Sequence, residues 1–137
     1  MADFLLQEES YKIIGKCIEV HNQLGAGFLE IVYKDALEWE FKNQKIPFER
    51  EKEYLVNHKE TILPHRFFAD FVVLGEIILE VKAASGIFDA FIAQAMNYLK
   101  VSGNRLALII NFGTTSMGIK RVILQMFKRL INLSTIT

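Results

Sequence analysis

Leu106 to Phe112 (L-A-L-I-I-N-F) runs without a single charge. A run of this kind belongs to a strand covered on both faces, so it fixes the interior of the fold and demands layers above and below it. A helical pattern from about Phe88 to Val101 precedes it, and an apolar strand ending at Glu80-Val81-Lys82 precedes that helix. Strand, helix and strand from Glu80 to Phe112 form a crossover unit, which places the two strands parallel with a right-handed connection.

The strand that enters this crossover belongs to a hairpin. Pro64 to Lys82, P-H-R-F-F-A-D-F-V-V-L-G-E-I-I-L-E-V-K, reads as two apolar strands joined at Leu74-Gly75-Glu76, with Gly75 as the turn signal. Asp70 in the first strand, and Glu80 and Lys82 in the second, interrupt runs that otherwise read as buried. Alternation puts Glu80 and Lys82 on one face. If a three-residue loop spans Leu74 to Glu76, Val73 faces Ile77 and Asp70 falls opposite Glu80. Opposite residues in a hairpin share a face, so two carboxylates and one ammonium converge; a one-residue slip would send Asp70 to the other side. Adjacent buried carboxylates repel unless a cation or hydrogen bonds compensate them. A hard divalent cation such as magnesium does this, held by one or two carboxylates with water completing its octahedron. A partly exposed sheet edge, where Lys82 simply neutralises one acid, is equally open at this point.

The flanking chain reads as two helices and a set of strands. Ser10 is placed to cap a first helix running to about Leu24, with Ile14, Cys17, Ile18, His21 and Leu24 as its apolar stripe and Gly25 as its stop. His21 reads as a satisfied core or boundary histidine. A second helix covers about Leu29 to Asn43, with Leu29, Val32, Tyr33, Ala36, Leu37 and Phe41 inward and Lys34, Asp35, Glu38 and Lys42 wet. Phe48 to Val56 alternates with many charges, as an exposed strand near a sheet edge does, and Asn57 to Glu60 is a turn. Arg66, four residues before Asp70 on the same strand face, is placed to contact a phosphate or to stabilise Asp70. His65 reads as surface. Ile119 to Leu124 is a last strand and Gln125 to Leu133 a short basic amphipathic helix. Lys120, Arg121, Lys128 and Arg129 make the basic cluster, whose plain alternative is a solvated face.

Asp70 followed by Glu80-Val81-Lys82 resembles the signature of the PD-(D/E)XK nuclease superfamily, with Ala69 standing where that signature has its proline. Gly27-Phe28-Leu29-Glu30-Ile31-Val32-Tyr33 spells G-x-x-E-x-x-Y and resembles the hallmark of the GxxExxY proteins within that superfamily. Gln94 and Tyr98, four residues apart on one helical face, resemble the Q-x-x-x-Y accessory motif of its exonuclease-like branch. The resemblance covers most of the chain, from Gly27 to about Arg121. It implies an α/β restriction-endonuclease-like fold, a mixed central sheet flanked by helices, as a single domain over residues 1–137. It also implies magnesium- or manganese-dependent hydrolysis of nucleic-acid phosphodiesters, DNA or RNA. In that reading Glu30, Asp70, Glu80 and the Val81 carbonyl hold the metal, and Lys82 orients the attacking water or stabilises developing charge. Gln94 and Tyr98 position these groups or the strand, and Tyr33 positions Glu30 or belongs to the core. A non-catalytic nucleic-acid-binding or protein-assembly module retaining the fold is the alternative. A glycosidase is a distant third, because Lys82 has no natural role in one.

Composition restricts the partner. Sixteen basic and sixteen acidic side chains cancel, so no global cationic field attracts a nucleic acid and a local patch must grip it. A chain 51% hydrophobic with zero net charge also fits a homo-oligomer. Cys17 is the lone cysteine, which excludes an intrachain disulfide and a cysteine-based zinc site. The start M-A-D-F-L-L-Q-E-E lacks a basic segment followed by a long apolar run, and no stretch reaches membrane-spanning length without charge. The expected location is cytoplasmic.

Overall fold

The computed structural model describes residues 5–124. The expected basic helix with Lys128 and Arg129 lies outside the described residues. Two helices lead, α1 (Gln7–Leu24) and α2 (Glu30–Asn43), followed by β1 (Phe48–Tyr54) and a small ribbon of β2 (Asn57–His58) and β3 (Thr61–Ile62). The hairpin of β4 (Phe67–Val73) and β5 (Ile77–Lys82), the helix α3 (Asp89–Ser102), and β6 (Leu106–Asn111) and β7 (Gly118–Ile123) complete the order.

Five strands form one sheet in the order β1-β4-β5-β6-β7. β5 and β6 are parallel and the other neighbours antiparallel, so the sheet is mixed. Every residue of β6 is buried, as its charge-free sequence requires. One face, with Phe71, Val73, Ile77, Leu79 and Leu108, packs on Ile13, Cys17, Tyr33, Leu37 and Phe41 of α1 and α2. The other, with Ile78, Ala107 and Ile109, packs on Ala95 and Leu99 of α3. This is the restriction-endonuclease-like architecture expected from the sequence. Among the described residues no helix is long and apolar enough to cross a membrane.

The β4–β5 turn has the expected register, with Val73 opposite Ile77. Leu74 and Gly75 both take left-handed backbone angles, φ 58° and 69°, which is why a glycine stands in that turn. His21 also behaves as expected: its Nε2 bonds the Thr114 carbonyl at 2.9 Å.

Three expectations are corrected. Ser10 lies inside α1 and does not cap it; its hydroxyl donates to the Leu6 carbonyl at 2.8 Å and accepts from Arg121 at 2.9 Å. The buried stripe of α1 is accordingly Ser10, Ile13, Cys17 and Val20, a second helical spacing that shares Cys17 with the expected one, and Ile18 stays exposed. On α2, Leu29 precedes the helix and is 77% exposed, whereas Lys34, assigned to the wet face, is only 9% exposed. Acids carried by β1 and β4 cover that part of α2.

The segment after Lys82 is fastened to the end of β6. Asn111, 1% exposed, accepts from the Ala84 amide at 2.9 Å and donates to its carbonyl at 3.0 Å. The Phe112 amide donates to the Lys82 carbonyl at 2.8 Å. Buried polar groups paired in this way fix the exit from β5 and hence the position of Lys82.

Candidate active site

The ladder between β4 and β5 stops at Phe71 opposite Leu79. One residue on, side chains take over from the backbone: the Asp70 amide donates to Glu80 Oε2 at 2.9 Å, and the Val81 amide donates to Asp70 Oδ2 at 2.8 Å. The two carboxylates therefore meet in the gap between parting strands, each accepting an N–H from the other's strand. Alternation in the hairpin predicts the two side by side on one regular face; the sheet is not regular there. Phe71 packs toward α1 and α2, yet Ala69, two residues away, packs toward α3. Strict alternation forbids this, so β4 slips by one residue at Asp70. β1 slips with it. Arg50 pairs with Phe71 and Lys52 with Ala69, and Glu51 between them has a left-handed φ of 53°. Both strands slip together, so the register survives while Asp70 is freed from the pleat.

Glu80 is buried, 3% exposed. Burial, then the Asp70 carboxylate, pushes its pKa from 4.5 up to about 8, against the lowering effect of the Asp70 amide and of Lys82 and Lys34. Between these two values the folded protein holds a proton that the unfolded chain has lost. The stability this proton confers is complete below pH 4.5 and is lost as pH rises through about 8. Metal-free protein should accordingly lose melting temperature across that window relative to Glu80→Gln. Melting curves of both proteins along a pH series test this, and a constant difference between them would contradict it.

Lys82 lies on the face that β5 turns to α3. Its ammonium donates to Gln94 Oε1 at 2.9 Å and sits 4.7 Å from the centre of the Phe91 ring. Gln94 thus holds the lysine from the neighbouring helix, and the ring face adds a cation–π contact. Tyr98, one turn on, stacks on Phe67 with ring centres 4.2 Å apart. Burial, then the Glu80, Asp70 and Glu51 charges, pushes its phenol up to about 12, so its hydroxyl keeps its proton and is a donor.

α2 brings a further acid and a cation. Glu30, at its first position, has its pKa raised by partial burial and by Asp70, with Lys82 and Lys34 opposing, which places it within the field of the same groups. Tyr33 is turned elsewhere. Its hydroxyl donates to the Gly25 carbonyl at 2.6 Å and accepts from the Phe28 amide at 3.2 Å, and its ring stacks on Phe112 at 4.6 Å. It is a core residue that fixes the loop leading to Glu30. Lys34, one turn after Glu30, donates to Asp70 Oδ1 at 3.0 Å and also pairs with Glu51. Burial disfavours its charge, but the Glu51 and Asp70 carboxylates outweigh this and raise its pKa.

Arg66 does not reach this group. Four residues along a strand span about 13 Å, whereas Glu53 faces Phe68 and is Arg66's diagonal neighbour across the ladder. The guanidinium accordingly pairs with Glu53 at 2.7 Å. Lys34 is the residue sequence reasoning missed, because its spacing matches Glu38 and Lys42 on the polar side of α2.

The donors present are hard carboxylate oxygens, and two of them with water suit magnesium or manganese; a cation would offset the burial and the Asp70 repulsion that raise Glu80. Among the described residues, however, no group of three or more His, Cys, Asp or Glu side chains is gathered closely enough to hold a metal ion.

A family profile described as the PD-(D/E)XK nuclease superfamily matches residues 7–122. Among solved structures, the crystal structure of SSO0001 superposes with a TM-score of 0.55 at 16% identity, over 74% of this chain. This chain spans 57% of that one, and at such identity the likeness is one of fold. No curated protein matches the chain.

Proposed function

The chain belongs to the PD-(D/E)XK nuclease superfamily, and from that premise we propose that it is a metal-dependent nuclease hydrolysing phosphodiester bonds of nucleic acid within a single catalytic domain. The observation that carries this reading is the reciprocal carboxylate pair, Asp70 and Glu80, set where the strands part with Lys82 one pleat beyond. Asp70 and Glu80, with the Val81 carbonyl, would hold magnesium or manganese, water completing the octahedron, and Glu30, not gathered closely enough to be a third carboxylate ligand, would act through such a water. When bound, such a cation supplies an acidified water and offsets charge on the scissile phosphate.

The remaining roles belong to the chain. Glu80 would have to be ionised to serve as a ligand, so affinity for the cation would rise with pH toward about 8. Gln94 and the Phe91 ring hold the Lys82 ammonium ready to orient the attacking water or to meet developing negative charge. Tyr98 keeps its proton and positions the strand or these groups as a donor.

Manganese or magnesium should raise the melting temperature, since a ligand bound only by the folded state stabilises it by mass action. The double variant Asp70→Asn, Glu80→Gln should lose that rise. If it keeps the full rise, the cation binds elsewhere. The same proteins are assayed with manganese on single- and double-stranded DNA and RNA. One observation favours a second reading, a non-catalytic binding or assembly module: the ammonium of Lys34 already sits on Asp70 where donors for a metal are few. A metal-dependent melting shift without cleavage of any of the four substrates would select that module.

A further inference from the structure

Asp70 has two oxygens and both are engaged. Oδ2 receives the Val81 amide, a bond that belongs to the sheet. Oδ1, the oxygen not tied to the backbone, receives the Lys34 ammonium at 3.0 Å. Both partners are largely shielded from solvent: the side chains of Lys34 and Asp70 are 11% and 13% exposed. An ammonium and a divalent ion competing for one carboxylate oxygen in such surroundings repel strongly, because little water screens them.

Lys34 has a second anchor. Glu51 falls opposite Asp70 in the β1–β4 ladder, between the pairs Arg50–Phe71 and Lys52–Ala69. Its left-handed backbone, φ 53°, is uncommon for a residue with a long side chain and costs energy. Its carboxylate, 47% exposed, pairs with Lys34. An ammonium held between two carboxylates keeps a partner when one of them is taken by another cation.

We propose that Lys34 is the resident cation of Asp70, displaced onto Glu51 when a divalent ion enters, so that Lys34 and Glu51 set the site's metal affinity in opposite directions. The proposal rests on the metal-site reading above. Removing Lys34 deletes the competitor and tightens metal binding. Removing the Glu51 charge deletes the place to which the ammonium withdraws and weakens it. A bridge that merely holds α2 to the sheet would behave otherwise: both losses would loosen the site and weaken the metal together.

The test is calorimetric titration of manganese chloride into the parent, Lys34→Met, Glu51→Gln and the Asp70→Asn, Glu80→Gln control at one pH. Lys34→Met should bind about tenfold tighter, the scale on which residues contacting a ligand side chain tune metal affinity. Glu51→Gln should bind more weakly than the parent. Unchanged or weaker binding by Lys34→Met, or a shift of both variants in one direction, overturns the proposal. Glu51→Gln alters a half-exposed side chain, so it carries the test alone if Lys34→Met does not fold; parent-like or tighter binding there overturns the proposal too. Binding by the parent that the control lacks upholds the metal site whatever Lys34 does. Absence of manganese binding in the parent fails that reading and this one together.

Discussion

Lys82→Met is expected to give a folded protein that still binds manganese and cuts nucleic acid at least about a hundredfold more slowly than the parent, the usual loss when one preorganised electrostatic group is removed. The reason lies in how the lysine is held. Its ammonium donates to Gln94 at 2.9 Å and lies against the Phe91 ring, and donates no direct hydrogen bond to either carboxylate of the pair. A lysine needed only for charge balance would be expected on Asp70 or Glu80, and Lys34 already takes that place on Asp70. Methionine keeps much of the aliphatic stem and its packing, so folding should survive. Metal binding should hold or tighten, since a nearby positive charge has gone. Cleavage rates of parent and variant at matched folded concentration decide the matter. Equal rates would take Lys82 out of the mechanism.

Gly113→Ala is expected to destabilise the fold by about 3 kcal/mol, the upper part of the usual range for overpacking, and to lower the melting temperature by roughly 10 °C for a domain of this size. A β-carbon on Gly113 would land on the backbone of Ala83 and Ala84, which has no flexible side chain to yield. That backbone is also fastened, through the Asn111 side chain, to the end of β6. Either the bonds to Asn111 break or the segment after Lys82 moves. The second outcome would shift Lys82 against Gln94 and reduce activity beyond the loss of folded protein. Thermal melting checks the first part, and a variant melting level with the parent would show that the segment adapts freely.

Much of the frame was legible in the sequence because it depends on contiguous residues. A run without charge from Leu106 can lie only in the interior, and it became β6, buried throughout. Gly75 marked a turn whose length set Val73 against Ile77, and from that register Asp70 and Glu80 had to come close. Alternation along β5 fixed Glu80 and Lys82 on one side. How the carboxylates meet was not legible: the joint slip of β1 and β4 at Glu51 and Asp70 needs two strands remote in sequence to yield together. Spacing along its own strand offers Arg66 either a phosphate or Asp70, but the nearer acid, Glu53, arrives only when β1 pairs with β4.

Lys34 marks the boundary most sharply. Its spacing on α2 gives it a polar face, and that much is true of the isolated helix. Its burial depends on Glu51 and Asp70, which belong to other elements and reach it only when the sheet closes over the start of α2. The periods of helix and strand and the turn residues are written locally, because neighbours along the chain enforce them. Which charge meets which across the core is decided by packing, because a side chain carries no local trace of the distant partner that desolvates it.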